Sequence, residues 1–477
     1  SFVNPRTGQI LDADIIFDAD FVKHWRNEFE NYMPEGIAWL SHSYDSASNT
    51  SHGQVQSSPC GCRQCNLFAG HAFQNALGSA ALATTKDSLI SEEEQKKLVQ
   101  QGLRLVAMHE VGHTLGLRHN FKGSSVASIG QINSKDSAGR RSATTSVMDY
   151  VPVNIVPEGQ FQGPYYPTRL GTYDYWAIEY GYRPISGTTP EAEHPTLLEI
   201  AARSGEPELA FATDEDTMAG DPDPLSNRYD LGNDPIAFAE QRAKVIQGLI
   251  PKLIDRFTAN DAGYDRVRHA FGVLLGAHGQ ANFFAARLVG GLYSSRSHRD
   301  DPQAQPPFRV VQATQQRKAM ELLSEQIFSD KSYQFPPEFY NQLVSTRWLH
   351  WGSDNVDRQD YPVHEAVLKW QQRILQQLLD ARTLTRLADN TMKVGAKEDR
   401  FTTSELLRQL VDSIYSEIFE FKGAKFTDQK PAISSLRRNL QREALGELLR
   451  LALQNMVTVE LQPDLLLAQS EPRMCRL

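Results

Sequence analysis

Between residues 92 and 116 the chain reads EEEQKKLVQQGLRLVAMHEVGHTLG, without proline. Leu98, Leu105 and Val106 recur at helical spacing on the side that carries His109 and His113, which predicts one long helix seated on a core by that face. Ser91 and Glu94 stand at the N-cap and N3 spacing of a capping box, so the expected start is Ser91. Upstream, Ile10, Ile15, Ile16 and Phe17 follow a Pro5-Arg6-Thr7-Gly8 turn and predict a strand over residues 9–18. Phe21, Trp25 and Phe29 share one stripe and predict an amphipathic helix over 20–32.

Beyond residue 234 the pattern is helical almost to the end. PIAFAEQRAKVIQGLIPKLIDRF, AVLKWQQRILQQLLDARTLTRLA and ISSLRRNLQREALGELLRLALQ carry aliphatic residues three and four apart. One hairpin interrupts them, ARLVGGLYSSRS pairing with PPFRVVQA. The helices have no fixed period, so no solenoid is expected. The histidines here (His269, His278, His298, His350, His364) are scattered, and ordinary hydrogen-bonded roles are expected of them. Between these regions, residues 184–234 shift to Pro, Gly, Ser and acids and read as a connector. Asp214, Asp216, Asp221, Asp223, Asp230 and Asp234 leave two readings, a calcium site or a solvated loop. Without EF-hand spacing the loop is favoured. Asp234-Pro235 also fits the N-cap and N1 positions of the next helix.

The chemistry concentrates in HEVGHTLGLRH. His109 and His113 are four residues apart, so on a helix both rings leave one face and can share a metal ion. Continuing the helix would carry His119 out of reach, but Gly116 can adopt a left-handed conformation and turn the chain back. Three nitrogen ligands with one open position is the catalytic arrangement of zinc, whereas structural sites are closed by four protein ligands. Glu110, beside a ligand but not aimed at the metal, is placed to act as general base on a water. A bare His-Glu-x-x-His is a weak signal. With 31 Gly and 13 His in 477 residues, both extra residues falling at their places by chance is about a one-in-560 event.

Downstream lies SVMDY, residues 146–150. The full string followed by a methionine-bearing turn resembles the metzincin metallopeptidases. The resemblance implies that Met148 lies beneath the metal. The Ser-x-Met-x-Tyr form is most similar to the astacin and serralysin branches, where the tyrosine is a mobile metal ligand that stabilises the tetrahedral intermediate; Tyr150 takes that place. YDYWAIEYGY, residues 173–182, is similar to the helix that closes many such domains, and NPRTGQILDADIIF to a segment of large bacterial envelope metzincins. Asn120, directly after the third histidine, departs from better-known branches. The resemblance covers residues 1–185. It implies an α+β catalytic domain, a twisted mixed sheet on a long zinc-binding helix followed by a C-terminal subdomain with the Met-turn. It also implies that Val151, Pro152 and Val153 help wall the substrate pocket, with an apolar P1′ preference, and that the enzyme is secreted, periplasmic or held in the cell envelope. The chain opens at Ser1 in what then looks like mid-domain. An N-terminal portion of the same precursor is therefore expected as a partner, and the first strand should have an unpaired edge or a partner from another chain.

Composition changes this picture little. A net charge of −9 and a pI near 5.8 give no reason to expect nucleic acid or an anionic membrane surface. No apolar run reaches membrane-spanning length. Cys60, Cys62 and Cys65 in CGCRQC, with Cys475 far away and His52 and His71 nearby, leave disulfide, second metal site and free thiols open, disulfide leading. The expected organisation is a zinc peptidase domain over 1–185, a connector over 186–234 and a mostly helical domain over 235–477. The expected function is a zinc metalloendopeptidase with polypeptide substrates. The rivals are a zinc hydrolase of non-peptide esters or amides and an inactive scaffold that binds a partner through its helices.

Overall fold

Helical periodicity over most of the chain becomes a mostly helical molecule. The computed structural model describes residues 2–6, 8–15, 67–84, 88–136, 142–187, 189–218, 220–258, 263–345, 358–419 and 425–468. Among these the strands are short. β1 (Phe2–Val3) pairs antiparallel with β2 (Ile10–Asp12), and β3 (Leu292–Ser294) pairs with β4 (Phe308–Val310) in the register Leu292↔Val310. The second pair is the hairpin expected from the sequence. Of the expected strand over 9–18, residues 9–15 are described and are strand over Ile10–Asp12, and no mixed sheet stands among the described residues. The expected helix over 20–32 and Cys60, Cys62 and Cys65 lie outside the described residues.

The helices of eight residues or more are α1 (Leu67–Ala83), α2 (Ser88–Thr114), α3 (Thr172–Tyr182), α4 (Pro190–Ala201), α5 (Pro235–Leu249), α6 (Asp265–Ala286), α7 (Ala313–Leu323), α8 (Val363–Leu379), α9 (Ala381–Lys393), α10 (Thr403–Ile414) and α11 (Ser435–Ala468). Helix α2 begins three residues before the capping-box start inferred from Ser91, which lies inside it. Asp234 caps α5 as expected, its side chain accepting from the amides of Ile236 and Ala237 with Pro235 at N1. The run with helical spacing across residue 380 forms two helices, because Asp380 takes an extended backbone and caps α9 through the Arg382 amide.

Helix α2 is positioned by what it buries. Leu98 and Leu105 join Phe73 and Leu77 of α1, Val147 and Met148, and Phe271 and Leu274 of α6 in one core cluster. Gly78 lets α1 approach closely, since a Cβ there would stand 2.9 Å from Leu98 and 3.2 Å from Val153. Helix α6 is buried along nearly its whole length. Its first half belongs to the cluster beneath α2, and from Ala281 it belongs to a second cluster built by α7, α8, α10 and α11. The helical region is thus anchored to the neighbours of the histidine-bearing helix. No described helix is long and apolar enough to cross a membrane.

The contact between α6 and α8 leaves no space at Gly279, where an added Cβ would fall 2.0 Å from the Trp370 ring. Overpacking there outweighs the helix-propensity gain of alanine, so Gly279→Ala is expected to lower stability by about 1–2 kcal/mol. Equilibrium denaturant unfolding checks this; an unchanged or higher midpoint contradicts it.

Candidate metal centre

His109 and His113 project from the last turns of α2, and Gly116 ends that helix. Gly116 has φ +86, the Leu117 amide donates to the Gly112 carbonyl at 3.0 Å, and the Gly116 amide donates to the His113 carbonyl at 3.0 Å. This is a Schellman ending, which satisfies helix carbonyls while reversing the chain. A Cβ at Gly116 would meet only Ile10, at 3.5 Å, so the backbone conformation, not lack of room, requires glycine. The reversal returns His119 to the other two rings, and nitrogens of all three lie within 4.8 Å of one another.

Each ring is held through its Nδ1. His109 Nδ1 donates to the Val147 carbonyl at 2.8 Å, His113 Nδ1 to the Leu117 carbonyl at 2.9 Å, and His119 Nδ1 to the Asp214 carboxylate at 2.8 and 2.9 Å. With Nδ1 protonated in all three, the Nε2 lone pairs face inward. His113 Nε2 and His119 Nε2 stand 3.2 Å apart, and buried His109 Nε2 has no hydrogen-bond partner. Lone pairs aimed at one another in a buried site are unfavourable unless a cation lies between them. Two nitrogens held tetrahedrally about 2.0–2.1 Å from zinc stand about 3.3 Å apart, so the donors present fit that ion. Burial, together with the neighbouring rings, pushes His109 well below its usual range, and burial lowers His113 as well. Both shifts favour the neutral imidazole at His109 and His113, the form that ligates.

The SVMDY turn packs against the histidine-bearing end of α2. Met148 is fully buried, and a Cβ on Gly112 would stand 2.2 Å from its sulfur, so the glycine inside His-Glu-Val-Gly-His seats the methionine against α2. Asp174, at N3 of α3, accepts from the Ser146 hydroxyl at 2.7 Å, the Val147 amide at 3.0 Å and the Gly171 amide at 2.8 Å. It thereby fixes the turn whose Val147 carbonyl orients His109. Tyr150 is buried, and its phenol oxygen lies 2.9 Å from His119 Nε2. Glu110 is half-buried beside His109 on α2, near enough to His113 to act on it electrostatically.

The acidic part of the connector, Asp214 to Asp230, is not a solvated loop. Its acids meet cations or donors: Asp214 with Arg228 at 3.0 Å, Asp216 with Arg296 at 2.6 Å, Asp221 with Arg287 at 3.5 Å and Asp223 with Lys122 at 2.7 Å. Asp230 accepts from Asn227 at 2.9 Å and Ser124 at 3.2 Å. No open set of carboxylates remains for calcium among these residues. The segment is stitched to the zinc ligands through Asn120, whose side chain donates to the Ala210 carbonyl and accepts from the Ala212 amide, while its own amide donates to the Met148 carbonyl. The bond of Asp214 to His119, the part of Gly112 and the role of Asn120 are not foreseen from the sequence. Of these, only the Gly within the histidine string carried a local signal. Val151, Pro152 and Val153 are buried in the core, Val153 bonded to Gln74 and Arg242. A cavity of about 600 Å³ borders Lys122, Tyr173, Trp176, Phe211 and Arg296, and none of the three histidines lines it.

Because φ +86 costs any other residue about 1–2 kcal/mol, Gly116→Ala is expected to weaken zinc binding as well as stability. Zinc content after dialysis, measured beside the melting temperature, checks this; full zinc retention with unchanged melting contradicts it.

A family model described as Met-zincin matches residues 91–421, a span running from α2 through the Met-turn and the acidic segment into the C-terminal helices. No curated protein and no solved structure matches the chain. The converging imidazoles and the extent of that match agree: the chain belongs to the Met-zincin family, of metzincin-type metallopeptidases, and its His109–His113–His119 cluster fits a zinc site.

Proposed function

We propose that the protein is a zinc endopeptidase that cleaves polypeptides with Glu110 as general base. The observation that carries this reading is the inward convergence of three Nδ1-anchored imidazoles with Glu110 retained beside them. Zinc, where bound, supplies Lewis-acid polarisation of a water molecule and of the scissile carbonyl. Glu110 accepts the proton from the attacking water and returns it to the leaving amine. The Tyr150 phenol donates to the oxygen on which negative charge develops, after leaving His119 Nε2. Action outside the cytosol, in the envelope or the medium, belongs to the same proposal and rests on the resemblance of the N-terminal segment alone. Digestion of a mixed peptide library with product mapping and a chelator control tests the reading. Chelator-sensitive internal cleavage is expected; hydrolysis of esters or simple amides with intact peptides would replace the substrate class.

Glu110→Gln keeps the three ligands and removes the base. Zinc is expected to stay stoichiometric while turnover falls by about 10²–10⁴-fold. Wild-type activity in that variant would take Glu110 out of the mechanism and reopen the scaffold reading.

Tyr150→Phe keeps the ring that packs with Phe121 and Tyr229 and deletes only the hydroxyl. The hydrogen bond strengthens as charge develops, so kcat is expected to drop about 10²-fold with KM nearly constant and zinc content intact. A lower melting temperature with normal turnover would instead make the hydroxyl a packing element.

A further inference from the structure

The three ligands are not held alike. His109 and His113 are fixed by one helix and turn their Nδ1 to neutral carbonyls of Val147 and Leu117. His119 stands on irregular chain after the Gly116 reversal, where no helix sets its orientation. It alone is met by a carboxylate. Asp214, 95 residues downstream, places Oδ1 and Oδ2 at 2.9 and 2.8 Å from His119 Nδ1. Asp214 is in turn held by Arg228, whose Nη2 lies 3.0 Å from Oδ1. The Arg228 guanidinium lies 4.9 Å from the Phe121 ring centroid and 5.7 Å from that of Tyr150. Next in the chain, Tyr229 takes φ +68 and its amide donates to the Tyr150 carbonyl at 2.6 Å. A non-glycine residue held in that region costs about 1–3 kcal/mol and persists only where its surroundings enforce it.

We propose that Asp214 is a positioning residue for the third metal ligand, delivered by a strap over residues 210–232 that also holds the backbone of Tyr150. Its carboxylate fixes the Nδ1–H tautomer of His119, aims Nε2 inward and raises the basicity of that nitrogen. The strap supplies what the helix supplies to the other two histidines. This rests on the zinc reading of the histidine cluster and not on peptide cleavage.

The test is zinc affinity of the full chain, measured by chelator competition on wild type, Asp214→Ala, Asp214→Asn and Glu215→Gln. Glu215 is a control: it is an exposed neighbour paired with Arg118, and it touches no histidine. Both Asp214 variants are expected to bind zinc about 10–100-fold more weakly, with Glu215→Gln unchanged. With cobalt in place of zinc, both Asp214 variants are expected to shift the visible absorption at saturating metal. If Asp214 served only to pin the strap, melting would fall while the folded protein kept wild-type zinc affinity and an unaltered cobalt spectrum; that result overturns the proposal. Should Asp214→Ala not fold, Asp214→Asn, of the same shape, decides. A wild-type chain that holds zinc but cleaves no peptide removes the endopeptidase reading alone, whereas one that holds no zinc removes both.

Discussion

Three imidazole lone pairs aimed at one buried point repel one another unless a cation sits among them, and much of the structure serves to hold them there. No single element can do it. Helix α2 gives two rings a shared face, Gly116 supplies the reversal that returns the third, and three separate acceptors at Nδ1 keep every Nε2 turned inward. Each acceptor belongs to a different part of the chain: the Met-turn, the helix ending and the acidic strap. The site is therefore a junction of segments far apart in sequence.

The supports behind these acceptors run outward into the core. Asp174 ties α3 to the Ser146 and Val147 turn, and burial pushes its carboxyl up against the donors that hold it down. Within the turn, Met148 fills the space left by Gly112 of α2. Helix α6 then links the cluster under α2 to the packing of the C-terminal helices. In the strap, burial works to raise Asp214, but its bond to His119 and its pairing with Arg228 and Arg118 leave it lowered on balance, so it remains a carboxylate facing the ligand.

Most of the local chemistry was legible in the sequence because it follows short-range rules. Four-residue spacing put His109 and His113 on one face, a glycine marked the reversal, and Asp234-Pro235 marked a helix start. The hairpin of β3 and β4 was readable from alternation and a polar loop. What was misread depends on distance. An acidic, Pro/Gly-rich run looks like a solvated connector when its partners are unknown. Here Lys122, Arg228, Arg287 and Arg296 turn it into a packed strap, and only Lys122 is adjacent to the zinc string. The start of α2 differs from the expected one because the Ser-x-x-Glu spacing of a capping box also occurs within helices, and here the helix already begins at Ser88. Val151 and Val153, named from their place after the turn, pack in the cluster beneath α2.

The central claim is that one zinc ion is held by His109, His113 and His119. X-ray absorption at the zinc edge on the wild-type, zinc-loaded chain addresses it most directly. The account predicts one zinc per chain, nitrogen or oxygen neighbours only at about 2.0–2.1 Å, and the outer-ring scattering of three imidazoles. Sulfur neighbours at about 2.3 Å, which would place the metal on Cys60, Cys62 and Cys65, or fewer than three imidazoles, would contradict it.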